Sequence, residues 1–273
     1  MENGFQRVLN TFLVALIAVN LVLANDRSSE LSKSTETYNE ALAIATASAP
    51  APQTVTPPLT GETEPVKDEP YVWREAPIYG DSYIDYMCGI DLLALREKNP
   101  DVVGWISIPD TAISYPLMYG GDNEFYLKHT WLREPNYAGS IFIEQYCNTD
   151  LRDFNTIIYG HRIKGDIMFT PLKNYSSEEY LKSHPYIYIA DDNGVHRYEV
   201  FSAYETPITS DTYRIGIKKE SHKQLYINLA LENSVIDTGI IPTTNDKILT
   251  LSTCPAQGDQ TRWIVQAVLH AAD

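Results

Sequence analysis

Eight short segments rich in β-branched and aromatic residues follow one another through the last two-thirds of this chain. Gly, Pro, Asn and Asp residues separate them, as is typical of turns between strands. The eight segments are residues 102–108, 112–117, 139–146, 155–161, 186–190, 196–205, 247–254 and 262–270. Many short strands favour a sheet that closes on itself, because closure removes exposed strand edges. We therefore predict a mainly β domain, residues 71–273, built on a closed eight-stranded barrel.

Helical patterns interrupt this series. In residues 82–99 apolar side chains recur at helical spacing, and Pro100 ends the pattern. A second helix is predicted over 220–232, before the seventh strand. Ser176 and Glu179 form a capping-box pattern, which predicts that a short helix begins there, before the fifth strand.

An uncharged apolar run occupies residues 8–24, directly after Arg7. Its length is close to the shortest that crosses a bilayer. The run has two interpretations, an uncleaved signal anchor or a cleaved signal peptide, since Val22-Leu23-Ala24 resembles a cleavage site. We predict that residues 1–24 form a signal anchor with a single membrane pass, which makes the membrane a partner and places the rest of the chain outside the cell.

Residues 25–70 differ in composition from both neighbouring regions. Ala, Pro, Thr and Glu dominate their second half, with few large aliphatic side chains. Such a segment cannot bury enough apolar surface to offset the conformational entropy lost on ordering. We predict a disordered stalk, in which a transient helix over 28–45 is the only regular structure expected.

Charge and cysteine content exclude several classes of protein. The formal net charge of -15 argues against a nucleic-acid partner, which would select for a basic face. The three cysteines, Cys88, Cys147 and Cys254, form neither a dense disulfide framework nor a zinc-spaced motif. Because no clustered acidic site is evident either, we predict no metal and no cofactor. Whether Cys88 and Cys147 pair is left open.

Three residues at the ends of predicted strands carry the chemistry of a thiol enzyme. Cys254 ends the seventh strand, and Pro255 cannot continue a ladder. Arg262 begins the eighth strand, and antiparallel neighbours joined by a short loop bring these ends together. His161 ends the fourth strand, where an imidazole can exchange a proton with a nearby thiol. Taken singly, each also has an ordinary interpretation: a buried cysteine, a surface arginine and a packing histidine.

The segment Thr250-Leu251-Ser252-Thr253-Cys254 resembles the Thr-Leu-x-Thr-Cys signature of the sortase family, in which an arginine follows on the next strand. The segment NTIIYGHRIKGDIMFTPLKNY (155–175) is similar to the strand that carries the sortase histidine, particularly in class B. The segments NPDVVGWISIPDTAISYPLMYGGDNEFYLKH (99–129) and YAGSIFIE (137–144) are also similar to class B. The resemblance covers about residues 92–268.

This resemblance implies a sortase-type eight-stranded β-barrel, to which class B members add N-terminal helices and a helix before the seventh strand. It implies that Cys254 is the nucleophile and His161 the general acid and base. Arg262 would stabilise the oxyanion or position the substrate. Thr253 and Ser252 would support the substrate or oxyanion through hydroxyl or main-chain N–H groups.

The implied reaction cleaves a C-terminal sorting signal of LPxTG type after its Thr and passes the acyl group, through a thioacyl-enzyme, to an amine. The implied partners are surface proteins bearing such a signal and the amine of a cell-wall precursor (peptidoglycan or lipid II). In pilus-building sortases the amine is instead a lysine of another subunit. The absence of an Asp-Pro-aromatic lid motif favours wall anchoring.

Two other classes of protein are alternatives. A secreted cysteine peptidase or peptidoglycan amidase usually places its Cys at a helix N-terminus and before the His in sequence, whereas here the His comes first. A non-enzymatic surface module would not need Cys, His and Arg at three strand ends.

Overall fold

A closed barrel of eight strands forms the centre of the molecule, in the order β1-β2-β3-β4-β7-β8-β6-β5. The computed structural model describes residues 24, 26–47, 82–255 and 260–269. The strands are β1 (Val102–Ser107), β2 (Ser114–Met118), β3 (Ile141–Ile143), β4 (Asn155–Arg162), β5 (Tyr186–Asp191), β6 (Gly194–Pro207), β7 (Ile248–Pro255) and β8 (Thr261–Leu269). Each strand overlaps one predicted segment, and the predicted closed eight-stranded barrel is confirmed.

Strands β4, β7 and β8 are neighbours, although β4 and β7 lie far apart in sequence. The β4–β7 ladder is parallel and runs from Asn155 opposite Ile248 to Arg162 opposite Pro255. The β7–β8 ladder is antiparallel, as predicted, and its last main-chain pair is Ser252 with Ile264. The ends of β4 and β7 and the beginning of β8 therefore lie at the same edge of the barrel.

Large apolar side chains of the strands pack into one hydrophobic core. Trp105 on β1, Phe142 on β3 and Tyr198 on β6 are all at most 1% exposed. Burying a side chain of this size stabilises a fold by about 1.5–3 kcal/mol relative to leaving it exposed. The densely packed interior gives the three strands that carry the predicted chemistry a rigid support.

Two helices close to the predicted positions flank the barrel. The helix predicted before the seventh strand is confirmed as α5 (Glu220–Asn233), which packs on β6 and places Ile227 in an apolar cluster with residues of β6 and β8. The shorter α4 (Glu178–Ser183) begins one residue later than the capping-box pattern indicates, because Ser177 provides the cap and accepts a main-chain N–H of the first turn.

The single helix predicted over 82–99 is instead two helices, α2 (Ser82–Cys88) and α3 (Leu92–Lys98). Between them Asp91 caps α3, because its carboxylate accepts a main-chain N–H at 2.9 Å. The break changes the helical phase, and Leu93, which is one of the apolar residues in the 82–99 pattern, is 75% exposed.

Residues 26–46 form a further helix, α1, packed on the outside of the barrel. Its buried residues Ser34, Tyr38, Ala41 and Ala45 recur at helical spacing and so lie on one narrow face. The predicted disorder is wrong for this part of the chain, because small residues allow close approach to the barrel and one tyrosine anchors the contact. The remainder of the predicted stalk, residues 48–70, lies outside the described residues.

The predicted single N-terminal membrane pass is contradicted. Over the ranges that the structure describes, none of the helices combines the length and the apolar character needed to cross a bilayer. Residues 1–23 of the predicted segment lie outside those ranges.

Candidate active site

His161, Cys254 and Arg262 lie at the same end of three neighbouring strands. His161 and Cys254 are each the second-last residue of their strand, and they stand opposite each other in the parallel β4–β7 ladder. Arg262 is the second residue of β8, which runs antiparallel to β7 and therefore begins where β7 ends. The three predicted strand ends are therefore neighbours. The β4–β7 register that places His161 opposite Cys254 was not evident from the sequence alone.

The His161 ring is held by a main-chain acceptor. Its Nε2 lies 2.7 Å from the carbonyl oxygen of Leu127, and the residue is only 9% exposed. Because a carbonyl oxygen can only accept, Nε2 carries the hydrogen of this bond. In the neutral ring the lone pair is therefore on Nδ1, and Nδ1 is the atom that can take up a proton.

Gly139 gives the acceptor loop its close approach to His161. Its φ of +58° lies in the left-handed region, and a Cβ at this position would lie 2.7 Å from the Leu127 oxygen and 3.0 Å from Cδ2 of His161. Only glycine tolerates both the conformation and the contact. Sequence analysis missed Leu127, since a main-chain acceptor has no sequence signature, and the only available signal for this loop was the Gly in YAGSIFIE.

Thr253 links β7 to β8 through its side chain. Beyond the last main-chain pair of the two strands, the N–H of Trp263 donates to Thr253 Oγ1 at 3.0 Å. Thr253 is 2% exposed, so its hydroxyl faces the neighbouring strand inside the protein. A side-chain hydroxyl thus replaces a ladder bond at the position immediately before Cys254.

A groove of about 300 Å³ lies beside Arg262. Aromatic and aliphatic side chains form most of its wall; its lining residues are Asn123, Leu127, Phe142, Tyr159, Ile208, Tyr213, Ser252 and Arg262. The Ser252 and Tyr213 hydroxyl oxygens are 3.0 Å apart. Two other cavities, beside α1 and beside residues 231–241, contain none of the three predicted catalytic residues. An apolar groove with a few fixed polar groups suits a bound peptide.

Asn123 is fixed on the groove wall by its own hydrogen bonds. Its Nδ2 donates to Glu144 at 2.8 Å, and its Oδ1 accepts the N–H of Gln145 at 2.9 Å. Glu144 is 6% exposed, and its second oxygen accepts the N–H of Tyr146 at 2.7 Å. Sequence analysis identified neither residue, because the contact joins two loops that are distant in the chain.

The other two cysteines are both free, so the pairing that the sequence left open is not formed. Cys88 is exposed, whereas Cys147 is buried, with its Sγ 3.7 Å from the carbonyl oxygen of Asn155. Burial raises the pKa of the Cys147 thiol to about 12. Among the described residues, no group of three or more His, Cys, Asp or Glu side chains is placed to hold a metal ion.

Comparison with known proteins decides the family. The model of the sortase domain matches residues 106–270. Sortase B of Listeria monocytogenes is 36% identical over 185 residues, which is 66% of this chain and 74% of that protein. The chain belongs to the sortase family. It is therefore a sortase-type cysteine transpeptidase.

Solved structures of sortase B share the fold. A Staphylococcus aureus sortase B-substrate complex superposes with a TM-score of 0.64 at 30% identity, covering 67% of this sortase and 85% of that chain. A sortase B structure complexed with triglycine has a TM-score of 0.62 at 31% identity, covering 66% and 86% of the two chains. The predicted likeness to class B is confirmed. The sortase-domain match contains all three predicted catalytic residues but begins after α1.

Proposed function

We propose that this sortase cleaves a sorting signal of LPxTG type after its Thr and transfers the acyl group to an amine of a cell-wall precursor. Cys254 is the nucleophile, His161 the general acid and base, and Arg262 the cation at the oxyanion. The observation that carries the proposal is the position of Cys254 directly opposite His161, whose Nε2–H is held by Leu127.

In the first half-reaction the thiolate sulfur of Cys254 attacks the carbonyl carbon of the substrate Thr. The thiol proton resides on Nδ1 of His161, and the Arg262 guanidinium stabilises the oxyanion of the tetrahedral intermediate. When the peptide bond breaks, the imidazolium delivers its proton to the departing amine. A thioester between Cys254 and the Thr carbonyl remains.

In the second half-reaction an acceptor amine attacks the thioester carbon. His161 takes the proton that the amine loses, the carbon–sulfur bond breaks, and the Cys254 thiolate leaves. A new peptide bond joins the surface protein to the acceptor. The sortase B structure complexed with triglycine supports a short glycine amine as the acceptor for a first assay.

The groove beside Arg262 receives the sorting signal. Ser252 is fully buried, and its hydroxyl, 3.0 Å from that of Tyr213, supports the substrate site indirectly by holding the Tyr213 ring on the groove wall. Thr253 supports the site indirectly, because its own hydroxyl accepts the Trp263 N–H.

The proposal is tested by mixing the purified full chain with a library of LPxTG-type peptides and two competing amines, triglycine and a capped lysine. We expect cleavage after Thr and a triglycine-ligated product by mass spectrometry. Cys254→Ala abolishes both products, whereas Cys88→Ala, which changes an exposed free thiol, retains them. Hydrolysis without any ligated product would identify a cysteine peptidase instead, and ligation to lysine alone would overturn the wall-precursor acceptor.

A further inference from the structure

Tyr38 on α1 lies between two segments that flank His161. The residue is 6% exposed, and it belongs to a helix outside the sortase-domain match. Its ring and its hydroxyl contact different segments of the barrel, and each of these segments reaches His161 by a short chain of contacts.

The hydroxyl acts on the loop that holds the His161 ring. Tyr38 donates to the carbonyl oxygen of Gly139 at 2.6 Å, and the Ser140 hydroxyl lies 2.9 Å away. Ser140 in turn donates to the carbonyl oxygen of His129 at 2.8 Å. Gly139 is packed against the Leu127 carbonyl, the acceptor for Nε2 of His161. The phenol is therefore linked to the imidazole by three successive contacts, through Gly139 and Leu127.

The ring acts on the segment that follows β4. Tyr38 packs edge-to-face on Tyr115, with ring centroids 5.2 Å apart. The Tyr115 hydroxyl accepts the N–H of Met168 at 3.1 Å, and the next N–H, that of Phe169, donates to the carbonyl oxygen of His161 at 2.9 Å. One side chain of α1 thus supports both the ring acceptor and the main chain of His161.

Two more hydrogen bonds attach α1 to the same acceptor loop. Trp131 Nε1 donates to the carbonyl oxygen of Thr37 at 2.9 Å, and Asn136 Nδ2 donates to that of Glu30 at 2.9 Å. Burial raises the pKa of Tyr38, and it raises that of Tyr115 to about 12, so both phenols stay neutral at physiological pH. The Tyr38 hydroxyl therefore remains a hydrogen-bond donor at physiological pH.

We propose that Tyr38 is a positioning residue for His161, and that α1 is the element that holds the imidazole ready for proton transfer. The consequence for turnover rests on the proposed role of His161, whereas the consequence for ring orientation does not. A helix that only stabilised the fold would leave the orientation of His161 unchanged.

The test compares Tyr38→Phe with Tyr83→Phe in the full chain. Tyr38→Phe keeps the ring contact with Tyr115 and removes the donor to Gly139. Tyr83→Phe is a matched control, since it removes a hydroxyl 2.7 Å from Ser107 Oγ that attaches α2 to β1. Misplacement of a catalytic group lowers kcat, so we expect a loss of roughly tenfold for Tyr38→Phe with KM unchanged, and wild-type kcat for Tyr83→Phe.

A second readout needs no substrate. Nitrogen NMR of isotope-labelled histidine in the resting enzyme reports which ring nitrogen of His161 carries hydrogen. We expect the Nε2–H form of His161 in the wild type and in Tyr83→Phe, and a signal averaged over the two ring tautomers in Tyr38→Phe. All spectra are recorded well below the lowest Tm of the three proteins. A wild-type signal in Tyr38→Phe would overturn the inference, and so would equal losses of kcat in both variants. If the signal changes while the wild type processes no peptide, the proposed function fails and the positioning role stands.

Discussion

His161 donates from Nε2 to the main-chain carbonyl oxygen of Leu127 across 2.7 Å. The same Leu127 lines the groove beside Arg262. One residue thus orients the imidazole and shapes the proposed peptide site. A movement of this loop on peptide binding would therefore act directly on His161, the proposed proton-transfer group.

Gly139→Ala tests the packing behind this hydrogen bond. The new Cβ displaces the Leu127 carbonyl and the His161 ring, so we expect kcat to fall by roughly a hundredfold. The positive φ of Gly139 also costs about 1–2 kcal/mol with any L side chain. Gly216→Ala is the matched control, because Gly216 has a φ of +63° and a Cβ added there would meet nothing within 4 Å. It should lose only the stability that the left-handed conformation costs and keep its activity; equal activities of the two variants would contradict the account.

Thr253→Val tests the side-chain link between β7 and β8. Valine has nearly the same shape but leaves the buried N–H of Trp263 without its acceptor, which costs about 1–3 kcal/mol of the free energy of unfolding. We also expect lower kcat, because the ends of the strands that carry Cys254 and Arg262 are no longer held at the same spacing. Thr253→Ser keeps the acceptor and should retain most of both properties. Denaturant unfolding and peptide turnover, measured on the same samples, would show the account to be wrong if valine and serine behaved alike.

Glu144→Gln tests whether the fixed orientation of Asn123 matters for substrate binding. The amide keeps the size of the carboxylate but brings a donor towards the Asn123 and Tyr146 N–H groups. Loss of the hydrogen bonds that orient Asn123 should raise KM for the peptide several-fold. The rate of Cys254 acylation at saturating peptide should stay close to the wild type. A fall in kcat without a rise in KM would place Glu144 in the chemical step instead.

Thiol alkylation at pH 8 distinguishes the two cysteines other than Cys254. Cys88 is exposed and should be modified by iodoacetamide in the folded protein. Cys147 should be protected, because its pKa of about 12 leaves almost no thiolate at this pH. The stability contributed by burying the neutral thiol is present below the ordinary Cys pKa and is lost as pH rises towards 12. Peptide mapping before and after denaturation checks this, and rapid labelling of folded Cys147 would contradict the burial.

The sequence predicted those parts of the fold that depend on local patterns. Short segments rich in β-branched and aromatic residues, bounded by turn residues, located all eight strands, and the short connection before Arg262 indicated an antiparallel β7–β8 pair. The parallel pairing that sets His161 opposite Cys254 could not be predicted from the residues alone, because it joins strands that lie far apart in sequence, Asn155 facing Ile248. Resemblance to a family had to supply that pairing.

Other features were hidden for different physical reasons. Composition predicted disorder for α1, because a segment with few large apolar side chains does not indicate a face that packs on a core. In the structure, Tyr38 and two alanines nevertheless form a buried face. The acceptor for His161 is a main-chain carbonyl, and any residue type at position 127 supplies one. Gly139 was present in a segment similar to class B, but its left-handed conformation became evident only in three dimensions.

Capture of the acyl-enzyme tests the central claim most directly. The full chain is incubated with a cleavable sorting-signal peptide without acceptor amine, quenched in acid, and analysed by intact mass and peptide mapping. The account predicts a mass increase equal to the acyl fragment, located on the Cys254 peptide, present in Cys88→Ala and Cys147→Ala and absent from Cys254→Ala. An adduct on any other residue, or undiminished turnover by Cys254→Ala, would contradict it.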